Sequence, residues 1–574
     1  LIQRAGLFLS AILGSAVVGV AQQELVTLRG VSAGEQFGFA VEFVGDLDAD
    51  GFEDFAVGAP GAANETGRVY VYSGRTTAVL HTFDGVAAGD YYGGAVCGVG
   101  DADGDGRDDL AIGAPRGVAA QTPLSGGYVE VRSGATGALL RTVTGPPEPR
   151  GFGAALASGE DFDGDGVNDW ILGAPGGNAG AGAVYVHSGA SGALLRTHLP
   201  PGLPPYGFGP TLGYAVALAG DVNGDGVSEY AVGAPSVIVA NGSFVQLHDG
   251  ATGLEVWTAY SVAEDEELGW SIDALGDVTG DGIGDLVVGA RQGGSFGPAF
   301  GRVRVLNGAT GAVVAGFGQG PGAQPYASLG FDVVAVGDLN GDGRSEFAAG
   351  APGTNPPLPN GVFNQARATR IWSITASATE VLIPQLGDPG DAFGFALASG
   401  DANGDGLRDL LIGEPYDDDN GDASGTVHVY TVVRAPIAYC QAQVNSQGCT
   451  PALTSSGTAS ASSPTPFSIS ASQLINQTSA LLIYSSAPNT APFLGGALCV
   501  RQPLRRTPVQ ATGGASGAVD CSGVLNFDFN AYAQSGVDPA LVAGVEVFTQ
   551  VWSRDAQAPA ITNLTGGMAF YLGM

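Results

Sequence analysis

The sequence has no lysine. All 22 basic residues are arginine, set against 56 aspartates and glutamates, and the formal charge is −34. So acidic a chain is repelled by nucleic acid and by anionic membrane surfaces, which argues against both as partners. Histidine is also scarce: His81, His187, His198, His248 and His428 are the whole set, and they are scattered. There is no H-E-x-x-H zinc site and no G-x-S-x-G nucleophile elbow. Long apolar runs are missing as well, apart from Ala5 to Val20. That run is short for a membrane span of about 20 residues. With Arg4 before it and Ala21 after it, it has the form of a secretory signal peptide, residues 1–21. The expectation is an exported chain, secreted or held at the cell surface or in the periplasm, with no transmembrane segment once mature.

What is present is a repeated acidic loop. "DFDGDGVND" at 161–169 places Asp161, Asp163, Asp165 and Asp169 within nine residues, with Gly166 between them. Like charges about 4 Å apart repel by about 4 kcal/mol at an effective dielectric near 20. Such a run calls for a cation. Alternating oxygens around a tight turn suit calcium, which takes six to eight oxygen ligands. The side chains of Asp161, Asp163, Asp165 and Asp169 and the carbonyl of Val167 form the expected ligand set. Position twelve is Leu172, not glutamate, so the loop is not an EF-hand.

Six further copies follow the same pattern. Their expected ligands are Asp46, Asp48, Asp50, Phe52 and Asp54; Asp101, Asp103, Asp105, Arg107 and Asp109; and Asp221, Asn223, Asp225, Val227 and Glu229. The others are Asp277, Thr279, Asp281, Ile283 and Asp285; Asp338, Asn340, Asp342, Arg344 and Glu346; and Asp401, Asn403, Asp405, Leu407 and Asp409. The loops step by 55, 60, 60, 56, 61 and 63 residues. A near-constant period of this size marks a repeat architecture. Up to seven calcium ions, one per repeat, would bring the charge from −34 to −20.

Each repeat reads as four strands. In the third these are Phe152 to Ser158, Trp170 to Gly173, Ala183 to His187 and Ala193 to His198, with the acidic loop joining the first two. The predicted fold is all-β: a seven-bladed β-propeller over 22–434, which lets seven small sheets bury both faces by radial stacking. The seventh repeat lacks a fourth strand, and "ELVTLRG" at 24–30 occupies the slot before the first repeat. That segment is expected to complete blade seven and leave no free edge.

The repeats resemble the FG-GAP repeats of the integrin alpha-subunit propeller. The first element is Phe37-Gly38, Tyr92-Gly93, Phe152-Gly153, Leu212-Gly213, Leu268-Gly269, Leu329-Gly330 and Phe393-Gly394. The second is "GAP" at 58–60, 113–115, 173–175, 233–235 and 350–352, with departures to "GAR" at 289–291 and "GEP" at 413–415. The resemblance implies calcium loops on one face and an adhesion or ligand-recognition role. In the integrin family only some blades carry such loops, and here all seven do.

Strand parity puts the calcium loops and the turns between strands three and four on one face. The connections after "GAP" lie on the other. The second face carries the longer, more variable loops, with Tyr206, Phe208, Phe296, Phe300, Tyr326, Phe363, Tyr416 and Arg291. Aromatics on such loops suit an extracellular protein or glycan ligand. A hydrolase or lyase acting on polysaccharide or lipid is the rival expectation, and a structural envelope component the third. A carboxylate or histidine cluster on the variable face would favour the enzyme; an aromatic surface there would favour binding.

After Arg434 the composition changes. Residues 435–574 carry Cys440, Cys449, Cys499 and Cys521 and no acidic loop. An even number of cysteines in an exported chain implies two disulfides with three possible connectivities, of which pairing of sequence neighbours is the expectation. Strand-like runs predict a small β-sandwich, the Ser/Thr/Pro-rich stretch 450–466 a loop, and the module a possible means of cell-surface association. Cys97 stands alone in a first strand as a small buried side chain.

Overall fold

The computed structural model describes residues 20–115, 126–146, 151–176, 181–200, 211–235, 242–261, 266–291, 301–318, 328–339, 342–353, 368–373, 380–384, 390–404, 406–434, 436–457, 459–493, 496–542 and 545–573. Seven four-stranded antiparallel sheets make up the β-propeller. Blade three consists of Ala155–Glu160, Asp169–Ala174, Ala183–His187 and Leu194–His198, paired in that order. Its first strand begins three residues later than the sequence predicts, because Phe152 and Gly153 form the turn that leads into it.

The second strand of every blade is buried at each residue, as in Asp54–Ala59 and Asp169–Ala174. It lies between two strands of its own sheet and is covered on both faces by neighbouring blades. The fourth strand is an outer edge of mixed exposure, as in Val79–Asp84, where Phe83 alone is buried. This gradient explains why second strands read as continuous apolar runs and fourth strands as mixed ones.

The two repeated motifs meet across blades. A Cβ added to Gly58 of the first "GAP" would lie 2.0 Å from the Gly93 carbonyl oxygen of the second blade. The same approach joins Gly113 to Gly153, Gly173 to Gly213 and Gly350 to Gly394, and it joins Gly413 of the last blade to Gly38 of the first. Only glycine allows backbones this close. In the "GAR" and "GEP" departures the glycine is kept.

Val20–Arg29 pairs antiparallel with Thr426–Arg434 and is the outer strand of the seventh sheet. His428 fastens it: Nδ1 lies 2.7 Å from Glu24 Oε1 and Nε2 3.1 Å from Glu414 Oε2. Two carboxylates hold the imidazole proton against the cost of burial and push His428 up to about 9. Farther along, Arg29 pairs with Asp419, and Asn420 Nδ2 donates to the Gly30 carbonyl at 2.9 Å. The acidic stretch at 416–422 is thus tied to this strand.

The C-terminal region forms six-, three- and two-stranded sheets, with a core that includes Phe467, Ile469, Leu482, Phe529, Val551 and Phe570. Two expectations are corrected here. The disulfides are Cys440–Cys499 and Cys449–Cys521, not neighbour pairs. Ile437–Ala438 pairs with Thr562–Tyr571, which sets Cys440 near Cys499, as Gly567 lies against both Tyr439 and Cys499. The stretch 450–466 is not all loop, because Ala452–Ser456 pairs with Ser468–Leu474. Its alternating exposure, with Leu453 turned inward, is that of an edge strand. The short helix Phe529–Gln534, capped by Asp528 accepting from the Ala531 N–H, was not foreseen in the sequence.

Candidate functional site

The third loop shows how the acidic run folds. Asp161 turns back on its own chain: Oδ1 accepts from the Gly164 and Asp165 N–H groups at 2.7 and 3.1 Å, and Oδ2 from Gly166 at 2.7 Å. Asp165 Oδ1 accepts from the Val167 N–H at 3.0 Å. Gly166 has φ +91°, in the left-handed region that a side chain disfavours. Position nine does different work. Asp169 is fully buried; its Oδ2 accepts from the Phe162 N–H and its Oδ1 from Gly189 of the turn between strands three and four, both at 2.8 Å.

This bracing recurs. Asp54, Asp109 and Asp285 accept from Gly74, Gly134 and Gly308 at 3.0, 2.9 and 3.1 Å. Glu229 and Glu346 accept from the position-two N–H groups of Val222 and Leu339, and Asp409 from Asn403. Burial pushes the carboxyls of Asp54, Asp109 and Asp169 up to about 6. A buried carboxylate of this kind is stabilised in its charged form by a nearby cation.

Among the described residues four sets of three carboxylates lie within 4.8 Å of one another: Asp46, Asp48 and Asp50; Asp101, Asp103 and Asp109; Asp161, Asp163 and Asp169; and Asp225 and Glu229 with Asp249 from a neighbouring turn. In the first group Asp54 is not among the three. Asp105 and Asp165 likewise stand outside their groups, and so does Asp221. The position-seven residues Phe52, Arg107, Val167, Val227, Ile283 and Arg344 all donate their N–H to the position-five carboxylate. In the loop at 277–285, Asp277 accepts from Gly280, Asp281 and Gly282, and Thr279 stands beside Asp285. In the last two loops Asp338 accepts from Asp342 and Gly343, and Asp401 from Gly406. Asn340 and Asp405 lie outside the described residues.

Asp249 is the residue that the sequence reading missed. It opens the turn between strands three and four of blade four and accepts from Asn223 Nδ2 at 2.9 Å. The signal was present, because blades one to three have Ser73, Ser133 and Ser188 at that place. In blade five Asn307 occupies it and donates to Asp281 at 2.6 Å. The turn between strands three and four therefore stands over the acidic loop in several blades.

At the hub, the first strands line a cavity of about 740 Å³. Around its mouth on the face opposite the acidic loops runs an arc of half-buried rings from five blades. Centroid distances are 4.3 Å for Tyr214–Trp270, 5.6 Å for Trp270–Phe331, 4.6 Å for Phe331–Phe395 and 4.9 Å for Phe395–Phe39. Blades two and three contribute Gly94 and Ala154 instead, which leaves the arc open on that side. Arg291, from "GAR", lies over Trp270 at 3.7 Å and pairs with buried Glu267 at 3.1 Å. Tyr416 packs edge-on against Phe395.

Deeper in the cavity are Glu42, Asp273, Asp332 and Arg408. Burial raises Glu42 to about 8 and Asp332 to about 7. Asp273 accepts from the Ala335 N–H at 2.8 Å and Asp332 from Leu397 at 2.7 Å, so both tie a first strand to the next blade. Cys97 lines the same wall, its thiol pushed up by burial. Of the histidines, His81 meets the Gly134 carbonyl, His187 the Gly192 carbonyl and His198 the Tyr230 hydroxyl, and the rings of His198 and His248 lie 4.0 Å apart beside Tyr230. The other variable-face aromatics, Tyr206, Phe208, Phe296, Phe300, Tyr326 and Phe363, lie outside the described residues.

With sheets, loops and hub in view, the class is an FG-GAP β-propeller. The FG-GAP repeat model matches residues 37–72, 92–129, 152–187, 268–306, 332–372 and 393–430, and the repeated part of the chain belongs to that family. The chain is similar to Integrin alpha-V of Gallus gallus, 34% identical over 206 residues, which is 34% of this chain and 20% of the relative. It is also similar to Integrin alpha-5 of Xenopus laevis, 35% identical over 171 residues, covering 28% and 16%. A third relative is Integrin alpha-PS2 of Drosophila melanogaster, 33% identical over 210 residues, covering 33% and 15%. The match thus spans a fifth or less of the length of these relatives. Among the described residues no helix is long and apolar enough to cross a membrane.

Proposed function

We propose that this chain is an exported binding or adhesion platform in which calcium stiffens one face of a closed seven-bladed ring and a ligand is taken on the other. The propeller would span residues 22–434, with a C-terminal sandwich at 435–574. The arc of Tyr214, Trp270, Phe331, Phe395 and Phe39 carries the binding reading. Ring faces at a cavity mouth offer stacking area for a sugar, a planar group or a cation. The buried acids below them favour catalysis less, since Asp273 and Asp332 accept backbone N–H groups of neighbouring blades. Similarity to integrin alpha chains supports an adhesive role over an enzymatic one.

The residues that would hold calcium are the loop carboxylates named above. The donor set fits: hard oxygens, three within 4.8 Å at four loops among the described residues, one of the three buried in most. Calcium would supply charge neutralisation and stiffness, not chemistry. The test is a binding screen of the full chain against glycans, extracellular matrix proteins and cell envelopes, with calcium and with chelator, while product release is followed. Saturable binding that is lost on chelation and weakened in Trp270→Ala supports the reading. Turnover of a polysaccharide or lipid replaces it with the enzyme.

A further inference from the structure

Position eight of the acidic loop supplies no expected ligand. It is Glu53, Asp108, Asn168, Ser228, Gly284, Ser345 and Arg408 in the seven blades. Two of these reach back to the loop of the preceding blade. Asp108 Oδ2 accepts the backbone N–H of Asp46 at 3.0 Å, and Glu53 Oε2 accepts that of Asp401 at 2.8 Å. In each case the acceptor bonds position one of the neighbouring loop, the residue whose own carboxylate gathers the turn.

The seat for this contact is built into the chain. A Cβ on Gly45 would fall 2.1 Å from Asp108 Oδ2, and one on Gly400 2.3 Å from Glu53 Oε2. Asn168 takes the equivalent seat at Gly100, 2.9 Å from such a Cβ. A Cβ on Gly220 or Gly276 would meet nothing within 4 Å, because Gly284 and Ser345 are too short to arrive there. Position seven adds a second grip. Arg107 Nη1 donates to the Leu47 carbonyl at 3.1 Å, and the Phe52 ring lies against Gly404. The loops at 401–409, 46–54 and 101–109 are therefore joined hand to hand; those at 221–229 and 277–285 lack this bond from the next blade.

We infer that Asp108 is a positioning residue that couples cation binding between adjacent loops, so that the loops at 46–54 and 101–109 fill cooperatively and the loop at 221–229 fills independently. The inference rests on the reading of the loops as calcium sites. Asp109, next to Asp108, belongs to the carboxylate group of the second loop. A cation that orders Asp109 also fixes Asp108 over the Asp46 N–H. Asp46 then presents its carboxylate in place, and the neighbouring loop binds without that ordering cost.

The test is a calcium titration of the full chain by calorimetry and by ion counting. It uses Asp103→Ala, Asp108→Ala and the double variant, with Asp108→Asn as a variant that keeps the side-chain shape. In the wild-type background, Asp103→Ala should cost one ion and weaken a second site about five-fold or more. In the Asp108→Ala background it should cost one ion and leave the other sites unchanged. Asp108→Ala alone should keep the ion count while the curve loses its steepness, a change that general destabilisation would not produce. Additive effects of Asp103→Ala and Asp108→Ala, with an unaltered curve for Asp108→Ala, would overturn the coupling and leave the calcium reading intact. No calcium uptake by the wild type would overturn both.

Discussion

The loops at 161–169 and 277–285 have the same backbone and different charge. In both, position one accepts the N–H groups of positions four, five and six. In both, position nine is buried and braces the turn between strands three and four. They differ at position three, Asp163 against Thr279, and only the first loop brings three carboxylates together. The shape of the turn therefore depends on positions one, six and nine. Under the proposed calcium role, its capacity for a cation would depend on position three as well.

The broadest way to break the comparison is to remove the cation. At calcium concentrations about ten- to a hundred-fold above a site's Kd, each filled loop adds about 1.4–2.7 kcal/mol of stability by mass action. Chelation should lower the melting temperature sharply, and calorimetry of the full chain with and without chelator checks this. Asp169→Ala should come next. It strands the Phe162 and Gly189 N–H groups in a buried place, at a cost of about 2–4 kcal/mol even in chelator, read from denaturant unfolding.

The reciprocal exchange sharpens the comparison. Asp163→Thr should weaken calcium binding at its loop and Thr279→Asp should strengthen it at its own, each by about 1–2 kcal/mol in calcium and by little in chelator. Ion counting separates this from a change in folding. A fourth effect lies outside the loops. His428 carries a proton up to about 9 in the folded chain, against 6.5 for a free histidine. The stability it supplies to the outer strand is complete below pH 6.5 and is lost as pH rises through about 9. With Glu24 30% exposed, the loss should be about 1–2 kcal/mol. Melting curves of wild type and His428→Gln should converge at high pH.

Much of the fold was legible because the repeats state the same grammar seven times. Position nine reads as a ligand in the sequence, and its double duty as a brace does not, because the partner glycine lies 20 residues on in blades one and three. Asp249 was hidden for the same reason: its loop is distant in sequence and adjacent in space. The aromatic arc comes from the residue after each "FG", at Phe39, Tyr214, Trp270, Phe331 and Phe395, and only stacking around an axis brings those positions together. The disulfides of the C-terminal module follow sheet pairing across more than 50 residues, which spacing alone does not reveal.

The most direct measurement is the number of calcium ions held by the purified chain at millimolar free calcium, with the melting temperature followed in the same samples. The account predicts several ions and up to seven per chain, with weaker uptake at one site in Asp163→Thr, and a melting temperature that falls as they are removed. A chain that retains no calcium and melts identically in chelator would contradict it.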